Sequence, residues 1–184
     1  MTDRFDRDPP SAFVSAWASR VVQDLSPALR GTRAPAALDV AMGRGRHALL
    51  LAAHGFRVFG VDITLDAVRS AMHEAAKRNL SLHAWCADLT AVPLPRARFD
   101  LVVVTRYLQR DLFGAIRDAV SPGGTVVYET FTVAQRALGF GPTSPDHLLE
   151  PGELRRWFEG FEMLFDEEVA APEAVARIVA RRSA

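Results

Sequence analysis

Ala37-Leu38-Asp39-Val40-Ala41-Met42-Gly43-Arg44-Gly45-Arg46-His47-Ala48 decides the fold. Leu38 and Val40 are apolar enough to lie in a buried strand. Gly43 and Gly45 then supply residues without a Cβ, where a backbone must bend sharply or a ligand must come close. A helix starts at about Arg46 and runs through Leu49, Leu50 and Leu51 to a stop at Gly55. Strand, glycine turn and helix in that order form the nucleotide-binding corner of an open α/β sheet.

Downstream, Phe56–Asp62 reads as a second strand, ending on a carboxylate about 17 residues beyond Gly45. An acid there accepts two hydrogen bonds from a ribose diol; the other reading is a helix-capping acid. Thr64 is the better N-cap for a helix over Leu65–Arg78. Ser81–Ala87 is a third strand, followed by Asp88, an acceptor for an adenine amino group or simply a solvated loop acid. Phe99–Val104 is a central strand buried on both faces, opening into Thr105-Arg106-Tyr107-Leu108. A helix spans about Gln109–Val120 and stops at Pro122-Gly123-Gly124. Thr125–Thr130 is the fifth strand. Thr132–Leu149, with Gly139, Gly141, Pro142 and Pro145, is a long loop of the kind that forms functional lids. Pro151 starts a helix through Phe158. Phe161–Val169 and Ala174–Arg181 are joined too tightly for a crossover helix and pair antiparallel.

Upstream, Met1–Asp8 reads as frayed. Pro9-Pro10-Ser11 opens a helix over Ala12–Leu25, with Phe13, Trp17, Val21 and Leu25 at helical spacing. That helix either packs on the sheet or covers a ligand pocket with Phe13 or Trp17. Ser26–Pro35 reads as a linker, marked by Pro27, Gly31 and Pro35. The expected organisation is an N-terminal helical extension or lid over residues 1–35 and a cofactor-binding domain over 36–184. The expected fold is α/β: an open, doubly wound, mostly parallel seven-stranded Rossmann-like sheet with an antiparallel C-terminal strand pair.

Composition narrows the function. The chain has 184 residues, 49% of them apolar, and a formal net charge of zero. A nucleic-acid footprint would need a basic surplus, so nucleic acid is not the expected partner. No apolar run reaches the roughly 20 residues that span a bilayer, and Met1–Pro10 lacks the apolar core of a signal peptide. A cytoplasmic location and no membrane partner are expected; oligomeric state is not legible. Cys86 stands alone, which leaves neither a disulfide framework nor a zinc cluster, and no metal is expected.

Asp39, Gly43, Asp62, Asp88 and Thr105 all fall near the carboxyl ends of strands, at the rim where open α/β sheets bind ligands. Gly43-x-Gly45-x-x-Ala48 also satisfies a dinucleotide fingerprint, with Asp62 in the ribose position. Asp39 opposes that reading, because a carboxylate suits an ammonium group better than a pyrophosphate. A ligand with adenosine at one end and an amino acid at the other matches this row of acids.

The run Asp39–Gly45 resembles motif I of class I methyltransferases that use S-adenosyl-L-methionine (SAM), with Ala41 in place of the first glycine. Phe99–Val104, Tyr107–Phe113 and Pro122-Gly123-Gly124 through Phe131 resemble the tellurite-resistance and thiopurine methyltransferase-like branch of small bacterial enzymes. The likeness covers about residues 36–181. It implies SAM as cofactor, lined by Ala41, Gly43 and Gly45. It places Asp39 by the methionyl amine, Asp62 on the ribose and Ile63 on the adenine face. Asp88 and Leu89 then meet the adenine edge, and Thr105 lies beneath the methionyl end. Alanine at position 41 is expected to be tolerated on an ordinary backbone dihedral.

Methyl transfer by in-line displacement runs on positioning and desolvation, without an obligatory acid or base. Tyr107, Arg106 and His147 are the catalytic candidates: Tyr107 to orient a nucleophile or to serve as a core tyrosine, Arg106 to pair with an anionic substrate or to form a surface salt bridge. His147 is otherwise a solvated histidine, Glu129 is a further candidate or only faces a polar rim, His47 packs beside the glycine loop or serves the site, and Arg44 and Arg46 flank the loop, either within reach of the methionyl carboxylate or not engaged with it. The strand-4 tip lacks the Asn/Asp-Pro-Pro-Tyr/Phe pattern of enzymes acting on base amino groups. The expected acceptor is a small molecule: a thiol, a chalcogen oxyanion or a hydroxylated aromatic. The alternatives are a SAM-binding protein without turnover and an NAD-binding oxidoreductase.

Overall fold

The computed structural model describes residues 9–29 and 33–184, with the side chains of 25–29 left aside. The expectations for Met1–Asp8 and for Gly31 lie outside the described residues. Seven strands form one sheet in the order β3-β2-β1-β4-β5-β7-β6: β1 Ala36–Val40, β2 Arg57–Asp62, β3 Leu82–Cys86, β4 Phe99–Thr105, β5 Val120–Phe131, β6 Glu162–Val169 and β7 Val175–Arg181. The first five are parallel and β7 runs antiparallel between β5 and β6. The helices are α1 Ala12–Leu29, α2 Arg46–Ala53, α3 Leu65–Lys77, α4 Phe113–Ala119 and α5 Glu153–Trp157.

The sheet separates two apolar layers. Leu38, Val40, Val102 and Val104 point to the side of α4 and α5, where Phe113, Tyr128 and Phe158 fill the space. Ala37, Leu101 and Val103 point to the side of α1, α2 and α3. Strands β1 and β4 are therefore buried on both faces, as their continuous apolar runs require. The strand order reverses between β1 and β4, which opens a crevice at their carboxyl ends.

Helix α1 contributes to the core: Val14, Ala18 and Val21 are buried with α2 and α3. Phe13 and Trp17 lie against Phe165 of β6, at ring-centroid distances of 5.4 and 6.0 Å. The helix continues to Leu29, past the expected end at Leu25. Pro27, expected in the linker, falls in its last turn.

Three other stretches differ from the sequence reading. The helix expected over Gln109–Val120 begins as a 3-10 turn, Arg110–Leu112, and becomes α-helical only at Phe113. Strand β5 starts at Val120, so Pro122-Gly123-Gly124 lies within extended chain. The β4–β5 register shifts between Phe99 and Leu101, opposite this stretch, and a Cβ on Gly124 would crowd the carbonyls of Ser121 and Phe99. Finally, Thr132–Leu149 is an ordered connection. Two 3-10 turns, Val133–Leu138 and Pro145–His147, occupy it, and Leu148 and Leu149 are buried. Gln135 is buried at its centre; its amide donates to Phe140 O and its carbonyl accepts from Ala174 N–H. Arg110 ties the far end through Pro145 O and Leu148 O. Side-chain amides and guanidinium groups supply the backbone partners that glycine and proline do not.

Candidate active site

The glycine loop is held by the end of β2. Met42 N–H donates to Val61 O at 3.0 Å. Gly43 N–H donates to Asp62 Oδ2, and Thr64 N–H to Asp62 Oδ1, both at 2.8 Å. Asp62 thus links the loop after β1 to the entrance of α3, while each oxygen keeps a second lone pair for a ligand. Thr64 is the N-cap residue by position, but its side chain makes no capping bond; Asp62 holds the Thr64 N–H just ahead of the helix. A Cβ at Gly60, beneath the loop, would overlap the Met42 sulfur, so a side chain there would displace Met42.

Backbone dihedrals explain the glycines. Gly43 and Gly45 have φ of 55° and 79°, and Ala41 has φ of 52°. Position 41 is therefore left-handed, contrary to the expectation of an ordinary dihedral. Its Cβ costs about 1 kcal/mol or more that a glycine would avoid. At Gly45 a Cβ would also stand 2.8 Å from the Ala71 Cβ of α3, so the loop and two helices meet there without room for a side chain.

Asp39 lies on the same sheet face as α2, in register with Gly60 of β2 and Val103 of β4. It is 1% exposed, and neither carboxylate oxygen has a hydrogen-bond partner among the described residues. Burial pushes its carboxyl up to about 7; the Ala48 N–H, close by but short of hydrogen-bond geometry, and the Arg46 guanidinium pull it back, and Asp62 pushes it further up. Buried acids are ordinarily paired. An unpaired one beside a glycine loop and a helix N-terminus is set to receive a cationic group.

At the β4 tip, Thr105 Oγ1 lies 3.0 Å from His47 Nδ1. His47 is 2% exposed, and its Nε2 accepts from Ser11 N–H at 3.0 Å. Burial, with Arg46 and Arg106 nearby, pulls the imidazole down to about 3. No local signal in the sequence distinguishes a packing histidine beside the glycine loop from a buried one that joins two distant segments.

Ile63 is 66% exposed at the mouth of the crevice. Asp88 is exposed, its Oδ1 accepting from both the Thr90 N–H and hydroxyl, while Leu89 is buried beneath it. Those Thr90 bonds hold the Asp88 carboxyl below its usual range. Tyr107 is half-buried over the same crevice; burial, then Asp88 and Asp62, push its phenol up, so it keeps its proton at neutral pH. Its backbone is fixed by the Tyr128 hydroxyl, which donates to Tyr107 O at 2.9 Å.

The remaining candidates are placed differently. Arg106 donates to both carboxylate oxygens of Glu173, at 3.0 and 2.9 Å, and stacks over Phe131. The salt-bridge reading of that residue is the one the structure takes. His147 is exposed in its 3-10 turn, within the segment tied by Arg110, and no contact brings it to the strand tips. Glu129 is buried against Arg177. Arg46 donates to Pro9 O at 3.3 Å, and Arg44 is exposed. Among the described residues no group of three His, Cys, Asp or Glu side chains could hold a metal ion, and no helix is long and apolar enough to cross a membrane.

Residues 37–124, which contain this loop and all three acids, match the family model described as a methyltransferase domain. Over this stretch the chain is similar to methyltransferases. Its sequence is 33% identical over 132 residues to malonyl-[acyl-carrier protein] O-methyltransferase of Pseudescherichia vulneris, covering 68% of this chain and 51% of that protein. It is 26% identical over 141 residues to ubiquinone biosynthesis O-methyltransferase of Coxiella burnetii, covering 66% and 60%. The chain thus spans about half to three-fifths of the length of these relatives. The crystal structure of TehB from Haemophilus influenzae superposes with a TM-score of 0.68 at 18% identity, over 88% of this chain and 62% of that one, a likeness of fold. SAM is the cofactor that a methyltransferase domain of this fold implies. The residues present fit it: the buried Asp39 carboxylate would take a methionyl ammonium, and the remaining Asp62 lone pairs would accept from a diol.

Proposed function

We propose that the chain transfers a methyl group from SAM to an oxygen of a small molecule, a hydroxylated aromatic being the acceptor best matched. The observation that carries the cofactor half of this reading is the buried, unpaired Asp39 beside the left-handed loop 41–45. Ala41, Gly43 and Gly45 bring backbone close to the ligand. Asp39 takes its ammonium, Asp62 its ribose hydroxyls, Ile63 the adenine face, Asp88 and Leu89 the adenine edge, and Thr105 the methionyl end. Bound SAM supplies an electrophilic methyl on a sulfonium.

Oxygen is favoured because both curated relatives are named O-methyltransferases. The groups at the rim favour an acceptor that ionises by itself. Tyr107 holds its proton and orients by donating it, His47 has both ring nitrogens engaged, and Arg106 is paired with Glu173. An acidic phenol needs no base from the protein, only alignment and exclusion of water. A thiol or a chalcogen oxyanion meets the same requirement and belongs in the same screen.

Calorimetric titration with SAM, S-adenosylhomocysteine and NAD in parallel tests the reading. Micromolar binding of the adenosyl ligands without NAD binding is expected, followed by labelled-methyl transfer to members of a panel of phenols, thiols and oxyanions. Absence of adenosyl binding overturns the cofactor assignment. Binding without transfer to any acceptor overturns the catalytic one.

A further inference from the structure

We infer that His47 is a positioning residue for the amino-acid end of the cofactor: its imidazole turns the Thr105 hydroxyl into a donor facing the ligand's carboxylate. The inference rests on the SAM reading above and adds the recognition of the carboxylate to it.

The hydrogen-bond directions follow from chemistry. The partner of His47 Nε2 is the Ser11 N–H, at 3.0 Å, and a backbone amide only donates. Nε2 is therefore the unprotonated nitrogen. A neutral imidazole with Nε2 bare carries its hydrogen on Nδ1, and burial keeps the ring neutral. Nδ1–H then donates to Thr105 Oγ1 at 3.0 Å. The threonine oxygen is the acceptor in that bond, so its own hydrogen must point elsewhere, and no acceptor for it is found among the described residues.

Thr105 stands two residues beyond Val103, which is in register with Asp39. Alternation along β4 therefore sends Thr105 and Asp39 to the same face of the sheet, at the crevice between β1 and β4. One offers an unpaired carboxylate, the other an unused hydroxyl donor. An α-amino-acid zwitterion presents the complement: an ammonium for Asp39 and a carboxylate for Thr105. Without the imidazole the hydroxyl could rotate or donate to the ring position instead, and the site would lose its fixed donor.

The two nitrogens of His47 can be replaced one at a time. Asparagine places its amide nitrogen near the Nδ1 position and retains the bond to Thr105. Glutamine places its oxygen near the Nε2 position and retains the bond to Ser11 only. Titration of the whole chain with S-adenosylhomocysteine, and with methylthioadenosine, which lacks the amino-acid end, separates the roles. Thr105→Val and His47→Gln are expected to weaken S-adenosylhomocysteine about tenfold, the loss of a hydrogen bond to a charged group, with methylthioadenosine unchanged. His47→Asn is expected to stay within about threefold of the unmodified chain for both ligands. Equal losses for both ligands, or S-adenosylhomocysteine binding undiminished in Thr105→Val, overturn the inference while leaving the cofactor reading in place. An unmodified chain that binds neither ligand overturns both.

Discussion

The Asp62 carboxylate accepts the Gly43 N–H at 2.8 Å, across nineteen residues of sequence, and so fastens the glycine loop to the tip of β2. Its other oxygen holds Thr64 N–H at the start of α3. One side chain thereby shapes the loop and faces the ribose position. Asp62→Ala is expected to weaken SAM binding by about 1.5–3 kcal/mol, the range for hydrogen bonds to a charged group. Calorimetry checks it, and unchanged affinity would remove Asp62 from the cofactor site.

Asp39 makes binding pH-dependent. Its carboxyl titrates at about 7 in the ligand-free fold, and a methionyl ammonium favours the ionised form. Below that pH the site must release a proton to bind, so SAM affinity is expected to rise as pH rises through about 7 and then level off. Asp39→Asn should flatten the profile as well as lower it. A profile with the same slope in that variant would assign the proton to another group.

Stability carries a second pH signature, in which Asp39 and His47 oppose each other. Asp39 keeps its proton in the fold up to about 7 but loses it in the unfolded chain above the ordinary 3.8. The fold binds more protons across that window, so this contribution falls as pH rises. His47 stays neutral in the fold down to about 3, whereas the unfolded chain protonates it below 6.5. Its contribution falls as pH falls. Where the windows overlap the two slopes cancel, because folding moves no net proton between these groups and solvent. Asp39→Asn should unmask a stability that rises with pH, and His47→Gln one that falls, each by about 1 kcal/mol per pH unit. Urea unfolding between about pH 4.5 and 6.5 reads both slopes.

The left-handed loop predicts substitutions of opposite sign. Ala41→Gly relieves a strained dihedral at the cost of unfolded-state entropy, for a net gain of roughly 0.5 kcal/mol. Gly45→Ala adds both a positive-φ penalty and a contact with Ala71, and is expected to cost about 2 kcal/mol or more. Denaturant midpoints of the two variants check the signs.

Much of the architecture was legible in short-range pattern. The β-branched run Phe99–Val104, the glycine stop at Gly55 and the tight join before Ala174 each report chain geometry within a few residues. The candidate rim is legible from strand ends alone. Less legible were the stretches where side chains distant in sequence supply the order. Gln135 and Arg110 organise Thr132–Leu149, which by composition reads as an open loop. Arg106 has nothing local to show that Glu173 would engage it.

Alternating apolar strands and amphipathic helices, with Asp39-x-x-x-Gly43-x-Gly45 at the first turn, are enough to specify a doubly wound sheet and the crevice at its switch point. Local dihedral preferences and side-chain periodicity act over one or two turns, and that information is complete in the chain itself. The tautomer of His47, the left-handed state of Ala41 and the isolation of the Asp39 carboxylate arise differently. Ser11 and Thr105 lie 36 and 58 residues from His47, and Asp39 is unpaired only because α2, β2 and β4 close around it. Hydrogen bonding and desolvation depend on which groups packing brings together, and no spacing along the chain encodes that.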